Sequence, residues 1–290
     1  MHGSLRLHVG VLWVGRHEKT AHIAAYDLDG RPLGRNFSFR NNELGRAAVS
    51  GLCIDQDHRI WVADTPSGKL LGFTLFGHQV AAFGGGDSTD DVAKVLTEPV
   101  DVDQYGEVDD GVLVVASGGR RRHAVRLFTP NGELVLSLRP LGDPRGRFVG
   151  VRGVAAMDRL IFVPESNAQR VQVFRDGDFH FAFRCSVPGF GSRPVAVAPI
   201  PDGRIVVAVK GDGDKEESGL LLYDQSGHFL IVLAEAGREH GRVCEPEGLA
   251  VLDEGRDRES RLFVIDCDGE RVQVFNFEGN CYGAFETLTG

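Results

Sequence analysis

This sequence predicts an all-β chain folded as a ring of repeated four-stranded units, and three observations carry the prediction. An aromatic residue closes a short apolar run and a glycine follows three or four positions later, six times over: Tyr26/Gly30, Phe73/Gly77, Phe128/Gly132, Phe174/Gly177, Tyr223/Gly227 and Phe275/Gly279. The aromatics are spaced 47, 55, 46, 49 and 52 residues apart, a period typical of radial repeat architectures. Each unit also carries strand-like segments separated by polar turns, with no helical periodicity between them.

The elements of a unit can be taken in order. The first is a short strand candidate: Gly51 to Asp55, Val100 to Asp103, Gly153 to Ala156, Val195 to Ala198 and Gly248 to Val251. A polar turn such as Pro201-Asp202-Gly203 leads to the second, a continuous apolar run: Leu12-Trp13-Val14-Gly15, Ile60-Trp61-Val62-Ala63, Leu113-Val114-Val115-Ala116, Ile161-Phe162-Val163-Pro164, Ile205-Val206-Val207-Ala208 and Leu262-Phe263-Val264-Ile265. Such runs fit strands covered on both faces, as between neighbouring blades of a propeller. Trp13 and Trp61 alternate with Phe162 and Phe263 in this column, so packing between blades accounts for them. The third strand ends at the aromatic, a glycine turn follows, and the fourth often ends in Phe, as at Phe83, Phe183 and Phe285. The expected fold is therefore an all-β, six-bladed β-propeller of four-stranded antiparallel blades. It forms a single domain over residues 1–290, with blades near 4–43, 47–86, 98–140, 151–187, 193–234 and 245–287. Leu5 to Val9 serves as the first strand of unit one or joins the last blade, and otherwise the ring closes by side-chain packing alone.

Three segments carry a family resemblance. Asp64 to Phe83, Glu165 to Phe183 and Asp266 to Phe285 resemble NHL repeats: an apolar strand, an acidic residue, a polar loop, Arg-Val-x-Val-Phe, a glycine turn and a final Phe. Arg170-Val171-Gln172-Val173-Phe174 and Arg271-Val272-Gln273-Val274-Phe275 are identical pentapeptides, whereas Ala124 to Phe128 and Gly219 to Tyr223 are degenerate. The resemblance implies a six-bladed propeller that binds at the face carrying its second-to-third-strand loops. It implies little about activity, because a fold of this kind hosts many functions.

Charge is uneven across those loops. Arg120, Arg121, Arg122 and His123 make the third loop basic; Arg145, Arg147, Arg152 and Arg193 on nearby links extend a positive sector over units three to five. The loops at Lys210–Glu217 and Asp266–Glu270 are acidic. An acidic or phosphate-bearing partner would suit the basic sector, although three adjacent arginines are also accounted for by solvation. The formal charge of −9 disfavours a chain built mainly to neutralise nucleic-acid phosphates. Asp212, Gly213 and Asp214 lack the spacing and the distal Glu of an EF-hand.

Catalytic signals are sparse. The starts of the inner strands read Ser50, Pro99, Arg152, Pro194 and Glu247, which leaves Glu247 as the one candidate for the axial metal that lactonase-type propellers hold. Asn167 fits the loop position of the NHL pattern, and the histidines show no paired metal-ligand spacing. No GxSxG elbow or P-loop is present. The leading expectation is a non-catalytic platform for a protein or peptide partner, with no cofactor. A metal-dependent hydrolase or lyase and an RNA binder are the alternatives. No apolar run reaches the roughly 18 residues of a membrane span, and no secretory signal is visible at the start. Five scattered cysteines read as reduced thiols, hence an expected cytoplasmic location.

Overall fold

The computed structural model describes residues 2–17, 20–40, 46–85, 96–106, 111–118, 123–140, 147–211, 217–266 and 270–287. Among these residues, 24 strands form six antiparallel sheets of four. Blade 1 holds β1 (His2–His8), β2 (Val11–His17), β3 (Ala21–Tyr26) and β4 (Pro32–Phe39). Blade 2 holds β5 (Gly51–Ile54), β6 (Ile60–Asp64), β7 (Lys69–Phe73) and β8 (Gln79–Gly84). Blade 3 holds β9 (Pro99–Tyr105), β10 (Val112–Ser117), β11 (Ala124–Phe128) and β12 (Leu134–Ser137). Blade 4 holds β13 (Ala155–Met157), β14 (Leu160–Glu165), β15 (Arg170–Arg175) and β16 (Asp178–Arg184). Blade 5 holds β17 (Arg193–Pro199), β18 (Ile205–Lys210), β19 (Gly219–Tyr223) and β20 (Phe229–Ala234). Blade 6 holds β21 (Gly248–Leu252), β22 (Arg261–Asp266), β23 (Arg271–Phe275) and β24 (Cys281–Glu286). The first strands of successive sheets touch one another, β21 against β1 included, and so ring a common axis. This is a six-bladed β-propeller.

Its core is six wedges rather than one centre. Each apolar cluster joins one blade to the next: Trp13 with Val62 and Phe73, Trp61 with Val115 and Phe128, Val114 with Val163 and Phe174. Phe162 with Val207 and Tyr223, then Val206 with Val264 and Phe275, continue the series. The sixth wedge packs Leu5, Leu12, Val14 and Tyr26 against Phe263, Ile265 and Val272. That wedge closes the ring. β1 pairs with β2 within its own blade, Leu5 opposite Val14, so of the possible closures side-chain packing is the one used. Three polar contacts add to it: Gly3 N–H to Glu247 Oε2 at 2.6 Å, Arg16 Nη1 to Thr287 Oγ1 at 2.7 Å, and Arg261 Nη1 to Leu28 O at 2.8 Å.

The aromatic–glycine repeat acquires a physical cause here. All six glycines have φ between 82° and 87°, the left-handed region that disfavours a side chain. A Cβ on Gly30 would also lie 2.2 Å from the Phe285 ring, and one on Gly77 or Gly227 would strike Phe37 or Phe183. The glycine thus turns the chain and leaves room for the last strand of the preceding blade. In blade 4 the turn is only Asp176-Gly177, both at positive φ, which is why that copy is one residue shorter.

Among the described residues no helix is long and apolar enough to cross a membrane. The reading of all cysteines as free thiols needs a correction. Cys53, Cys185 and Cys281 are free, but Cys244 is disulfide-bonded. Pairing depends on how close the fold brings two sulfurs, and scattered sequence positions do not report that distance.

Candidate functional site

The loop face is shaped by the acidic residues that end β6, β14 and β22. Asp64, Glu165 and Asp266 are fully buried and grip the chain entering their own blade. Asp64 Oδ1 accepts the Ala48 N–H at 2.8 Å, Glu165 Oε1 that of Val149 at 2.7 Å, and Asp266 Oδ1 that of Glu245 at 2.8 Å. In blades 4 and 6 the repeat's Arg and Gln complete the clasp: Arg170 Nε and Gln172 Nε2 each donate to Glu165 at 2.6 Å, and Arg271 Nη2 donates to Asp266 at 2.8 Å. The next residue then latches the following blade. Thr65 Oγ1 donates to Pro99 O, and Ser166 Oγ donates to Pro194 O. In blades 4 and 6 the buried charge is tolerated because it is hydrogen-bonded this fully.

These clasps hold open a cavity of about 710 Å³ over the axis. Its walls come from the second-to-third-strand loops, with His17, Thr65, Asn167 and Lys210, and from the entries to the inner strands, with Glu98, Arg152, Arg193 and Glu247. Arg152 and Arg193, from blades 4 and 5, are both exposed at its mouth. Arg193 donates to Gly211 O, and Lys210 Nζ pairs with Glu245 at 2.7 Å. Among the described residues the Arg152 guanidinium has no hydrogen-bond or ion-pair partner. It nonetheless acts on His123, whose imidazole is held below its usual range by partial burial first and by Arg152 second. The Nδ1 of His123 is buried with no partner.

Beneath the cavity a charged cluster crosses the axis. Arg6, from β1, reaches across the axis to β9: its Nη2 lies 3.5 Å from Asp103 and 3.9 Å from Asp101, and it donates to Val102 O at 3.2 Å. The two aspartates accept the backbone N–H groups of Val154 and Ala156 in blade 4, at 3.0 and 2.9 Å. Burial pushes the Asp101 carboxyl up to about 6, against the opposing pull of Arg6, and raises Asp103 in the same direction. This charged triad stitches blades 1, 3 and 4 together at the centre.

Of the residues singled out in the sequence, Arg152, Arg193, Asn167 and Glu247 line one cavity, and His123 lies within electrostatic reach of Arg152. Arg120, Arg121, Arg122 and Arg145 lie outside the described residues, as do Asp212, Gly213 and Asp214. Glu247 is half-buried and engages Gly3 across the ring closure. Among the described residues no group of three or more His, Cys, Asp or Glu is placed to hold a metal ion. Sequence reasoning passed over Arg6, Asp101 and Asp103. The available signal was Val100-Asp101-Val102-Asp103: in an inner strand, alternating Val and Asp puts both carboxylates on one face.

No family model and no curated protein sequence matches this chain. Solved structures do. The fold is similar to virginiamycin B lyase from Staphylococcus aureus, with a TM-score of 0.62 at 12% identity over 99% of this chain and 84% of the lyase. It is similar to XC5397 from Xanthomonas campestris, a gluconolactonase, with a TM-score of 0.62 at 14% identity over 95% of this chain and 86% of that one. A chain of a nidogen/laminin complex gives 0.62 at 11% identity, covering 96% and 94%. At such identities the likeness defines the fold and nothing finer: a six-bladed β-propeller of a kind found in enzymes and in binding proteins alike.

Proposed function

We propose that this protein is a non-catalytic, NHL-type propeller that recruits an acidic segment of a protein or peptide at its loop face. The observation that carries the reading is the cavity mouth, where Arg152 and Arg193 from adjacent blades are exposed and the Arg152 guanidinium has no ionic partner among the described residues. An exposed, uncompensated guanidinium beside a concave site is suited to a carboxylate or phosphate. The NHL-like pattern in units two, four and six supports the same reading. Binding of the purified protein to an array of acidic, neutral and basic peptides tests it. Arg152→Glu with Arg193→Glu should lower capture of acidic peptides at least tenfold while leaving the thermal midpoint unchanged. Equal capture of all three peptide classes, or capture indifferent to the double reversal, would count against it.

Glu247 in the same cavity supports a second reading, a metal-dependent hydrolase or lyase; a lyase and a gluconolactonase are among the structural neighbours. Metal analysis of the purified protein separates the two, because a stoichiometric divalent ion lost in Glu247→Gln would favour the enzyme. RNA binding through the basic sector predicts a steep loss of oligonucleotide affinity with salt.

A further inference from the structure

On the face opposite the cavity, two inner-strand hairpins bring two imidazoles together. His8 ends β1 of blade 1, and His58 sits in the turn between β5 and β6 of blade 2. Nε2 of His8 lies 2.8 Å from Nδ1 of His58, and the ring centroids are 5.1 Å apart. The His58 side chain is exposed and that of His8 half-buried, so solvent ions have access.

The backbone under both rings is unusual. His58 has φ of 58°, whereas the corresponding place in the blade 5 turn is held by Gly203 at 94°; each donates its N–H three residues back, to Asp55 O and Ile200 O. Val9, next to His8, also has a positive φ, of 49°, and a β-branched residue there is an outlier. Glycine would satisfy these turns at less conformational cost. Asp55 lends negative potential from nearby but is engaged itself. Its Oδ1 accepts from Arg59 N at 2.9 Å, and its Oδ2 accepts from Arg59 Nε and Trp61 Nε1, both at 2.7 Å.

We propose that His8 and His58 form a two-imidazole site for a late divalent transition-metal ion of the Ni²⁺ and Zn²⁺ class, clasping blade 1 to blade 2. Imidazole nitrogens select these ions over Mg²⁺ and Ca²⁺, which require oxygen ligands. With metal–nitrogen bonds of about 2.1 Å, nitrogens at this separation subtend an angle of roughly 84°, suited to adjacent positions of an octahedral or square-planar site completed by water. The two ligands are 50 residues apart in the chain, so only the folded ring presents them together, and the ion stabilises the native state by mass action.

The test uses metal-stripped protein without a histidine tag, titrated calorimetrically at pH 7.5 with Ni²⁺, Zn²⁺ and Mg²⁺. One Ni²⁺ or Zn²⁺ per chain is expected, with a rise in thermal midpoint and no response to Mg²⁺. His58→Gly, which the turn conformation favours, should fold at least as well yet bind at least tenfold more weakly; His8→Ala should lose affinity to the same degree. Undiminished one-to-one binding in both variants, or no binding by the parent protein up to millimolar ion, would overturn the proposal and leave an imidazole–imidazole hydrogen bond.

Discussion

Asp64 shows how a single position in the repeat can be left incomplete. In blades 4 and 6 the buried acid is met by an Arg five residues on and a Gln seven residues on, Arg170 and Gln172 for Glu165, and Arg271 and Gln273 for Asp266. In blade 2 those places hold Lys69 and Leu71. The Oδ2 of Asp64 consequently has no hydrogen-bond partner among the described residues although the residue is fully buried. An unmatched buried carboxylate oxygen is costly, and a charge-assisted bond to it should repay the cost of ordering one long side chain. Lys69→Arg is therefore expected to stabilise the protein by about 1 kcal/mol, read as a higher urea midpoint with unchanged slope. A midpoint at or below that of the parent would show that the fork does not reach. The acidic column was legible in the sequence as a repeat signature. Its task, gripping the incoming chain, was not, because the bonded backbone N–H lies 16 to 22 residues upstream and belongs to no motif.

At the scale of elements, β1 serves four separate contacts. It supplies Leu5 to the closing wedge, Gly3 to Glu247, Arg6 to the axial triad and His8 to the imidazole pair. No strand from the far end of the chain hydrogen-bonds into blade 1 among the described residues, so this wedge and the three polar contacts beside it resist opening of the ring. Leu5 is 1% exposed, and Leu5→Ala should cost about 2–5 kcal/mol. A ring sealed at one wedge should respond by local separation of blades 1 and 6 before global unfolding. Hydrogen exchange should then show faster exchange in β1 and β24 of the variant than in β14 and β18. Uniform acceleration through all six blades would instead indicate that closure and the other wedges fail together. Period and apolar runs marked the strands of blades 2 to 6 in the sequence. The first unit was harder to place because β1 is joined to β2 by only Val9 and Gly10, leaving no polar turn to separate them.

For the whole molecule, the axial triad makes stability depend on pH in an uncommon direction. Asp101 titrates at about 6 in the folded protein, above the 3.8 of a free side chain, so between those values the native state holds the proton more tightly than the unfolded chain. The contribution of this group is greatest below about pH 4 and is lost as pH rises through about 6. Arg6 and Asp103 share the site, and Asp103 is displaced in the same sense. Asp101→Asn removes one titration while keeping an acceptor for the Val154 N–H. Urea midpoints at pH 4.5 and 7 should show the variant gaining relative to the parent at pH 7. An identical difference at the two pH values would mean that Asp101 stays ionised throughout. The same triad lines the space along the axis between the cavity and the opposite face of the ring, on which the proposed metal ion would bind.

The sequence by itself determined the all-β class, the count of six units, the strand order within a unit and the face on which loops gather, because each follows from local periodicity and turn chemistry repeated along the chain. Tertiary structure alone decided how the ring seals, which charges meet across the axis, that Cys244 is oxidised, and that His8 finds His58. Those outcomes depend on distances between residues of different blades, and a repeat spelled out in one dimension holds no record of which side chains will face each other once it is bent into a circle.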